Sequence, residues 1–288
     1  MPRTITFKGN PVTLVGRALK EGDAAPDFRV TAQDLSESGL ADFEGKVKII
    51  TSFPSLDTPV CDLQVKEFNK RSTSLSPEAV IIGISKDLPF AQKRFCESFE
   101  INGVRLLSDY KTSSFGINYG LLIKELNLLA RSILIADKNN YLRYIQIVGE
   151  LTSSADYDLA LAALKSVIDN PAVRPEKEEI SSHCKPCEGG VPPMPKDKVE
   201  KLLAKYRGWE LVEDRKLVKE IKFKDFPDAK YFLDLVSVIS EEEGHHPVFT
   251  LNYNKLKITL TTHAIGGLSE NDFIMARAID DLGYGGLE

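Results

Sequence analysis

Residues 51–70 read TSFPSLDTPVCDLQVKEFNK. The stretch opens on the end of a β-branched run, KVKIITSF, and closes on a helix, DLQVKEFNK. Between them stand two prolines, a threonine and a cysteine. Thr58 is a good N-cap residue, and Pro59 fits the first helical position, where its missing N–H costs nothing. Cys61 then falls in the first turn. The partial positive charge and free N–H groups of a helix start favour an anion, which makes a thiol there a nucleophile. The residues alone leave a second account open: a cysteine packed in the core, as free cysteines often are. No histidine lies nearby in sequence, so nothing local supports a cysteine–histidine protease pair.

Working outward, the first half alternates strands and helices. KVKIITSF, AVIIGIS, SILIAD and LRYIQIV read as strands; DLQVKEFNK, LPFAQKRFCESFE and ADYDLALAALKSVI read as helices. That alternation predicts a sheet covered by helices, an α/β domain. TITFKGNPVTLVG predicts a hairpin ahead of it, turning at Gly9-Asn10. Residues 169–195, DNPAVRPEKEEISSHCKPCEGGVPPMP, hold six of the fifteen prolines and no apolar period, so they read as a linker. Beyond it DKVEKLLAKYRG is helical, with Val199, Leu202, Leu203 and Tyr206 in register. GWELVED, KLVKEIKF, VFTLNYN and LKITLTTH then read as strands. FPDAKYFLDLVSVISEEE, with Ala229, Phe232, Leu233, Val236 and Ser240 on one face, and SENDFIMARAIDDLG read as helices. The expected organisation is an α/β domain at 1–168, a linker at 169–195, and a small α+β domain at 196–288 with a four-stranded antiparallel sheet and three helices.

Composition limits the function classes. A formal charge of −5 offers no basic footprint for nucleic acid. No apolar stretch approaches the ~20 residues of a membrane span, and MPRTITFKGN lacks the apolar run of a secretory signal. Four cysteines are too few for a disulfide scaffold, so a reducing cytoplasm is the expected setting.

Pro54, Thr58 and Cys61 form P-x-x-x-T-x-x-C after a strand, a pattern that resembles the active-site signature of peroxiredoxins. AQKRFC, SSFGINYGLLI and LLARSILIAD are similar to segments of the thiol peroxidase (Tpx) branch, the atypical two-cysteine peroxiredoxins, and the match runs through nearly all of residues 1–168. The resemblance implies a thioredoxin-like fold with an N-terminal hairpin and no bound cofactor. It implies that Cys61 attacks the O–O bond of a peroxide and becomes a sulfenic acid. It implies that Cys96 resolves that acid, that Thr58 and Arg131 bond the peroxide, and that Pro54 shields the site. On its own, Arg131 reads as a surface or strand-edge arginine, and Cys96 as a core contact. A second thiol traps a sulfenic acid before irreversible oxidation, and thioredoxin or a similar dithiol is the expected reductant.

Three of the four histidines, His245, His246 and His263, fall within EEEGHHPVFTLNYNKLKITLTTHAIGGLSEND at 241–272. Histidine is the natural proton carrier near neutral pH. On LKITLTTH, alternation sets Leu256, Ile258 and Leu260 on one face, and Lys257, Thr259, Thr261 and His263 on the other. Adjacent His245 and His246 point oppositely if extended. No i, i+4 spacing or close cysteine supports zinc, so no metal is expected. Asp272 sits three residues after Ser269, as in a capping box. Glu241, His245-His246-Pro247, Tyr253, His263 and Asp272 resemble the signature of pterin-4a-carbinolamine dehydratases, with CEGG and Gly208-Trp209 similar to that family's opening. The resemblance implies loss of water from a 4a-hydroxytetrahydropterin substrate, with His245, His246 and His263 lining the pocket and Glu241 and Asp272 helping to hold the ring.

Cys184 and Cys187 form C-x-x-C beside His183. They read as an inherited opening segment or as a dithiol that reduces the Cys61–Cys96 disulfide in cis. The whole then reads as a bifunctional enzyme that associates with further copies of itself, a dimer or higher. In the rival reading the second half is a non-catalytic dimerisation or binding module.

Overall fold

The computed structural model describes residues 3–73, 75–170, 183–185 and 192–284. Contacts divide the chain into two units, Met1–Pro175 and Glu176–Glu288. In the first, the order is β1 (Arg3–Phe7), β2 (Asn10–Arg17), β3 (Val30–Thr31), β4 (Glu37–Ser38), β5 (Val47–Ser52), α1 (Pro59–Ser72), β6 (Ala79–Ser85) and α2 (Pro89–Phe99). β7 (Arg105–Ser108), α3 (Ser114–Asn118), β8 (Leu122–Ile123), β9 (Leu128–Leu129), β10 (Ser132–Ala136), β11 (Leu142–Ile147) and α4 (Tyr157–Asp169) follow.

A seven-stranded sheet runs β11-β10-β5-β6-β7-β3-β4. β5, β6 and β7 are parallel neighbours, and β10 is antiparallel to both β5 and β11. Its side chains alternate. Ile50, Ile82, Ile84, Leu107 and Leu134 enter one core; Ile49, Ile81, Leu106 and Ile133 enter the other. Both faces are covered, which is why these strands read as unbroken apolar runs. Val65 and Phe68 of α1, Phe95 of α2 and Leu164 of α4 cover one face. The other meets Val12, Leu14, Ile123 and Leu129 of a smaller sheet ordered β1-β2-β8-β9. Gly16, at φ +108°, lets α3 lie against β2: a Cβ there would stand 2.2 Å from the Ile117 carbonyl oxygen.

The N-terminal hairpin turns one residue earlier than expected. Phe7 pairs with Asn10, so Lys8 and Gly9 form the two-residue loop, both with positive φ. Its register is set from far along the chain. The Glu150 carboxylate accepts from the Lys8 and Gly9 N–H groups at 3.0 and 3.1 Å and from the Thr6 hydroxyl at 2.8 Å.

The second unit contains α5 (Lys196–Leu203), β12 (Glu210–Val212), β13 (Lys216–Lys222), α6 (Phe226–Glu243), β14 (Val248–Asn252), β15 (Lys255–Leu260) and α7 (Glu270–Asp280). The antiparallel sheet runs β12-β13-β15-β14. Leu256, Ile258 and Leu260 are buried, as alternation requires, and α6 and α7 pack on β15. The buried face of α6 is Ala229, Phe232, Leu235, Val236, Ile239 and Ser240; Leu233 lies at its margin. Among the described residues no helix is long and apolar enough to cross a membrane.

Candidate active sites

The first site forms where β5 ends and α1 begins. Thr58 occupies the N-cap with extended backbone, Pro59 follows, and Cys61 is in the first turn, fully buried. The local geometry differs from a simple helix-mouth thiol. The Cys61 N–H is taken by the Thr58 carbonyl at 3.1 Å. The Thr58 hydroxyl caps no backbone group and donates to Cys61 Sγ at 2.8 Å. The second donor to the sulfur is Arg131 Nη2, at 3.4 Å. Side chains, more than free backbone amides, therefore face this sulfur.

Arg131 is no surface residue. It stands just ahead of β10, 1% exposed. Nη2 also bonds the Leu151 carbonyl at 3.1 Å, Nη1 bonds Gln64 Oε1, and Nε is buried without a partner. Gln64, one turn after Cys61 and fully buried, continues the network through its Nε2 to Thr51 Oγ1 and to the Ser52 carbonyl. Pro54 is buried in the loop between β5 and α1. That loop is tied down by Asp87, whose carboxylate accepts from the Ser55 hydroxyl at 2.7 Å and the Leu56 N–H at 2.8 Å.

Cys96 is elsewhere. It lies in the last turn of α2, half-buried, with Gln33 Nε2 donating to its sulfur at 3.2 Å. Burial pushes this thiol's pKa up, against a smaller downward pull from Gln33. A groove of about 650 Å³ opens beside it, lined in part by Gln33, Asp34, Glu37, Asp42 and Arg105. Cys61 and Cys96 are both free thiols.

The second site gathers at the junction of α6, the end of β15 and α7. Gly244, at φ +61°, ends α6, and the His245 N–H returns to the Ser240 carbonyl at 3.2 Å. His245 is buried, its Nε2 2.8 Å from Asp272 Oδ1. Asp272 is fully buried and does two things at once. Its Oδ2 accepts from the Ser269 N–H and the Thr262 hydroxyl, at 2.8 and 2.7 Å, closing the capping box of α7. Its Oδ1 holds the imidazole. His246 is exposed and meets Glu241 Oε1 at 3.2 Å, so the adjacent histidines do diverge. His263 is exposed, but not as a strand residue: β15 stops at Leu260, and His263 begins a short 3-10 turn, His263–Ile265. Thr262, bound to Asp272, turns the chain away from the sheet. The structure thus joins His245 to Asp272 and His246 to Glu241; no bond to either pair is shown for His263.

Residues 183–185 are held by the second unit. Glu243 accepts from the Cys184 N–H at 2.8 Å and meets His183 Nδ1 at 3.1 Å. Asn271 pairs with both backbone groups of Lys185. Cys187 lies outside the described residues. Among the described residues, no group of three or more histidine, cysteine and acidic side chains is arranged to hold a metal ion.

Comparison with known proteins places both units. The Redoxin family model matches residues 20–161. The thiol peroxidase of Staphylococcus aureus (strain COL) is 48% identical over 163 residues, 57% of this chain and 98% of that protein. The Streptococcus sanguinis thiol peroxidase is 47% identical over 162 residues, 56% of this chain and 99% of that protein. The chain belongs to the thiol peroxidase family. A solved peroxiredoxin-like protein from Aquifex aeolicus shares the thioredoxin-like fold of the thiol peroxidase unit, with 41% identity, a TM-score of 0.53, and coverage of 57% of this chain and 98% of that one. The family model Pterin 4 alpha carbinolamine dehydratase matches residues 192–282, so the thiol peroxidase unit is fused to a domain of that family.

Sequence reasoning missed Gln64 and Asp87 at this candidate site. Gln64 offered a signal in hindsight: a polar residue one turn after Cys61, on the same helix face. Asp87 offered none, because its partners lie about thirty residues earlier.

Proposed function

We propose that the first unit reduces hydroperoxides through Cys61. The carrying observation is the buried sulfur with the Thr58 hydroxyl and the Arg131 guanidinium both turned to it. Donors of this kind favour a sulfur anion and polarise a peroxide oxygen. The unpartnered Nε of Arg131 is a further donor for an incoming oxygen. The thiolate attacks one peroxide oxygen, the O–O bond breaks, and the other oxygen leaves as water or an alcohol after taking a proton. Cys61 is then a sulfenic acid. The Cys96 thiolate displaces hydroxide, released as water, and a disulfide forms. Thioredoxin or a similar dithiol reduces it by exchange, becoming the disulfide itself. No cofactor enters this sequence. Mass spectrometry after one equivalent of hydrogen peroxide tests it. A Cys61–Cys96 linked peptide is expected; an unmodified Cys61 overturns the reading.

For the second unit we propose dehydration of a 4a-hydroxytetrahydropterin. The support is the match to the dehydratase model together with the buried His245–Asp272 pair. A buried carboxylate fixes the orientation of an imidazole, which can then pass a proton to a leaving hydroxyl. His246 and His263, both exposed, are available to take the ring proton. Turnover of a carbinolamine substrate, lost in His245→Ala in a protein that still melts cooperatively, is the expected result. An intact chain with no turnover favours the assembly-module reading instead.

A further inference from the structure

The two thiols cannot meet as they stand. Cys61 faces Arg131 at the start of β10, beside β5, whereas Cys96 faces Gln33 just beyond β3, and the sheet order sets β3 three strands from β5, about 14 Å at the usual strand spacing. A disulfide needs Cα atoms within about 7 Å. Cys61 is in the first turn of α1 and Cys96 in the last turn of α2, so α2 must release its last turn.

That turn is closed by an unusual cap. Glu100 ends α2 in the left-handed region, at φ +52°, a conformation that favours glycine. The Ile101 N–H bonds back to the Cys96 carbonyl at 3.0 Å, so the cap is built on the thiol-bearing residue itself. α1 then holds it. The Asn69 carboxamide oxygen accepts from the Asn102 and Gly103 N–H groups at 3.0 and 2.7 Å, and its nitrogen donates to the Glu100 carbonyl at 3.3 Å. One turn earlier, Lys66 lies 3.4 Å from the centre of the Phe99 ring.

We propose that Asn69 is a positioning residue for resolution: it latches the strained cap of α2, and its release sets the rate at which Cys96 reaches the oxidised Cys61. The inference rests on the peroxidase reading above. The sulfenic acid has two fates. Attack by Cys96 forms the disulfide and expels water; attack on a second peroxide forms a sulfinic acid and releases another water or alcohol. The latch decides between them, because the second fate wins while Cys96 is held away.

The test is the ratio of Cys61–Cys96 disulfide to Cys61 sulfinic acid, by mass spectrometry in the full chain, at fixed excess peroxide. Asn69→Ala removes three bonds to the cap and should raise the ratio roughly tenfold. Glu100→Gly relieves the left-handed strain, tightens the cap, and should lower the ratio about fivefold. Hydrogen exchange at Ile101 and Gly103 should speed up in the first variant and slow in the second. Val12→Ala, in the core on the opposite face of the sheet, controls for a general loss of stability and should leave the ratio within about twofold of the parent. A parental ratio in Asn69→Ala, a rise in Glu100→Gly, or an equal change in Val12→Ala overturns the latch. A parent whose Cys61 stays unmodified overturns the peroxidase reading, and one that oxidises Cys61 without ever linking it to Cys96 overturns the latch alone.

Discussion

At the scale of single residues, the candidate peroxidase site is a sulfur between two side-chain donors. Thr58 stands where a helix N-cap should, yet its hydroxyl serves the thiol instead of the backbone. Thr58→Val should therefore slow the reaction of Cys61 with peroxide by about 10- to 100-fold, the worth of a hydrogen bond to a charged group, while Thr58→Ser keeps most of the rate. Stopped-flow measurement of the first oxidation checks both. The pH dependence of the next step follows from Cys96. Its pKa is raised by burial, so the thiol is protonated at neutral pH, and only the thiolate attacks. Disulfide closure should speed up as pH rises from 7 towards about 9 and beyond, read as the quench-flow rate of the linked species. A flat profile would show that a step without ionisation, such as the release of the last turn of α2, limits closure. P-x-x-x-T-x-x-C is compact enough to be read in sequence. Arg131 came only through the family resemblance and Gln64 not at all, because the burial of a guanidinium rests on a contact 67 residues apart in the chain.

At the scale of elements, the long strands and helices were legible because their periods were. AVIIGIS is β6 to the residue, and the four strands of the second unit's sheet lie within the stretches expected for them or a residue outside, the last ending before His263. β3, β4, β8 and β9, at two residues each, are too short to show any period, and RLLS of β7 is hardly longer. The hairpin slipped by one residue because its turn is chosen by Glu150, not by Gly9 and Asn10 alone. The bonds from Thr152, then Thr6 and the Gly9 N–H, hold the Glu150 pKa far below the ordinary carboxylate range. A depressed pKa means stability that is present above the unfolded value and lost as pH falls through the folded one. Melting temperatures of the parent and Glu150→Gln should accordingly differ most near pH 7, and converge as the pH drops below about 4. Curves that stay parallel into acid would remove Glu150 from the account. Asp272 shows the reverse relation of element and residue: a capping box readable at N3 supplies the carboxylate that holds His245.

At the scale of the whole molecule, each site is built within one unit: residues 51–151 supply the sulfur's neighbours, and residues 241–272 the histidines'. Cys61→Ser should abolish peroxide reduction and leave carbinolamine turnover within about twofold of the parent; His245→Ala should do the opposite. Loss of both activities in either variant would mean that the units do not work separately. Within the stretch first read as linker, His183, Cys184 and Lys185 bond to Glu243 and Asn271, so these three belong structurally with the second unit. By itself the sequence determined the class of each half and singled out the candidate thiol and the histidine set, because periodicity, caps and short motifs are local and survive in one dimension. Only the tertiary structure decided what surrounds them: the buried Arg131 and Gln64, the Glu150 clamp, the His245–Asp272 pair, and the bonds from Asn69 to the end of α2. Those are meetings of residues far apart in the chain, and packing, not spacing, brings them together.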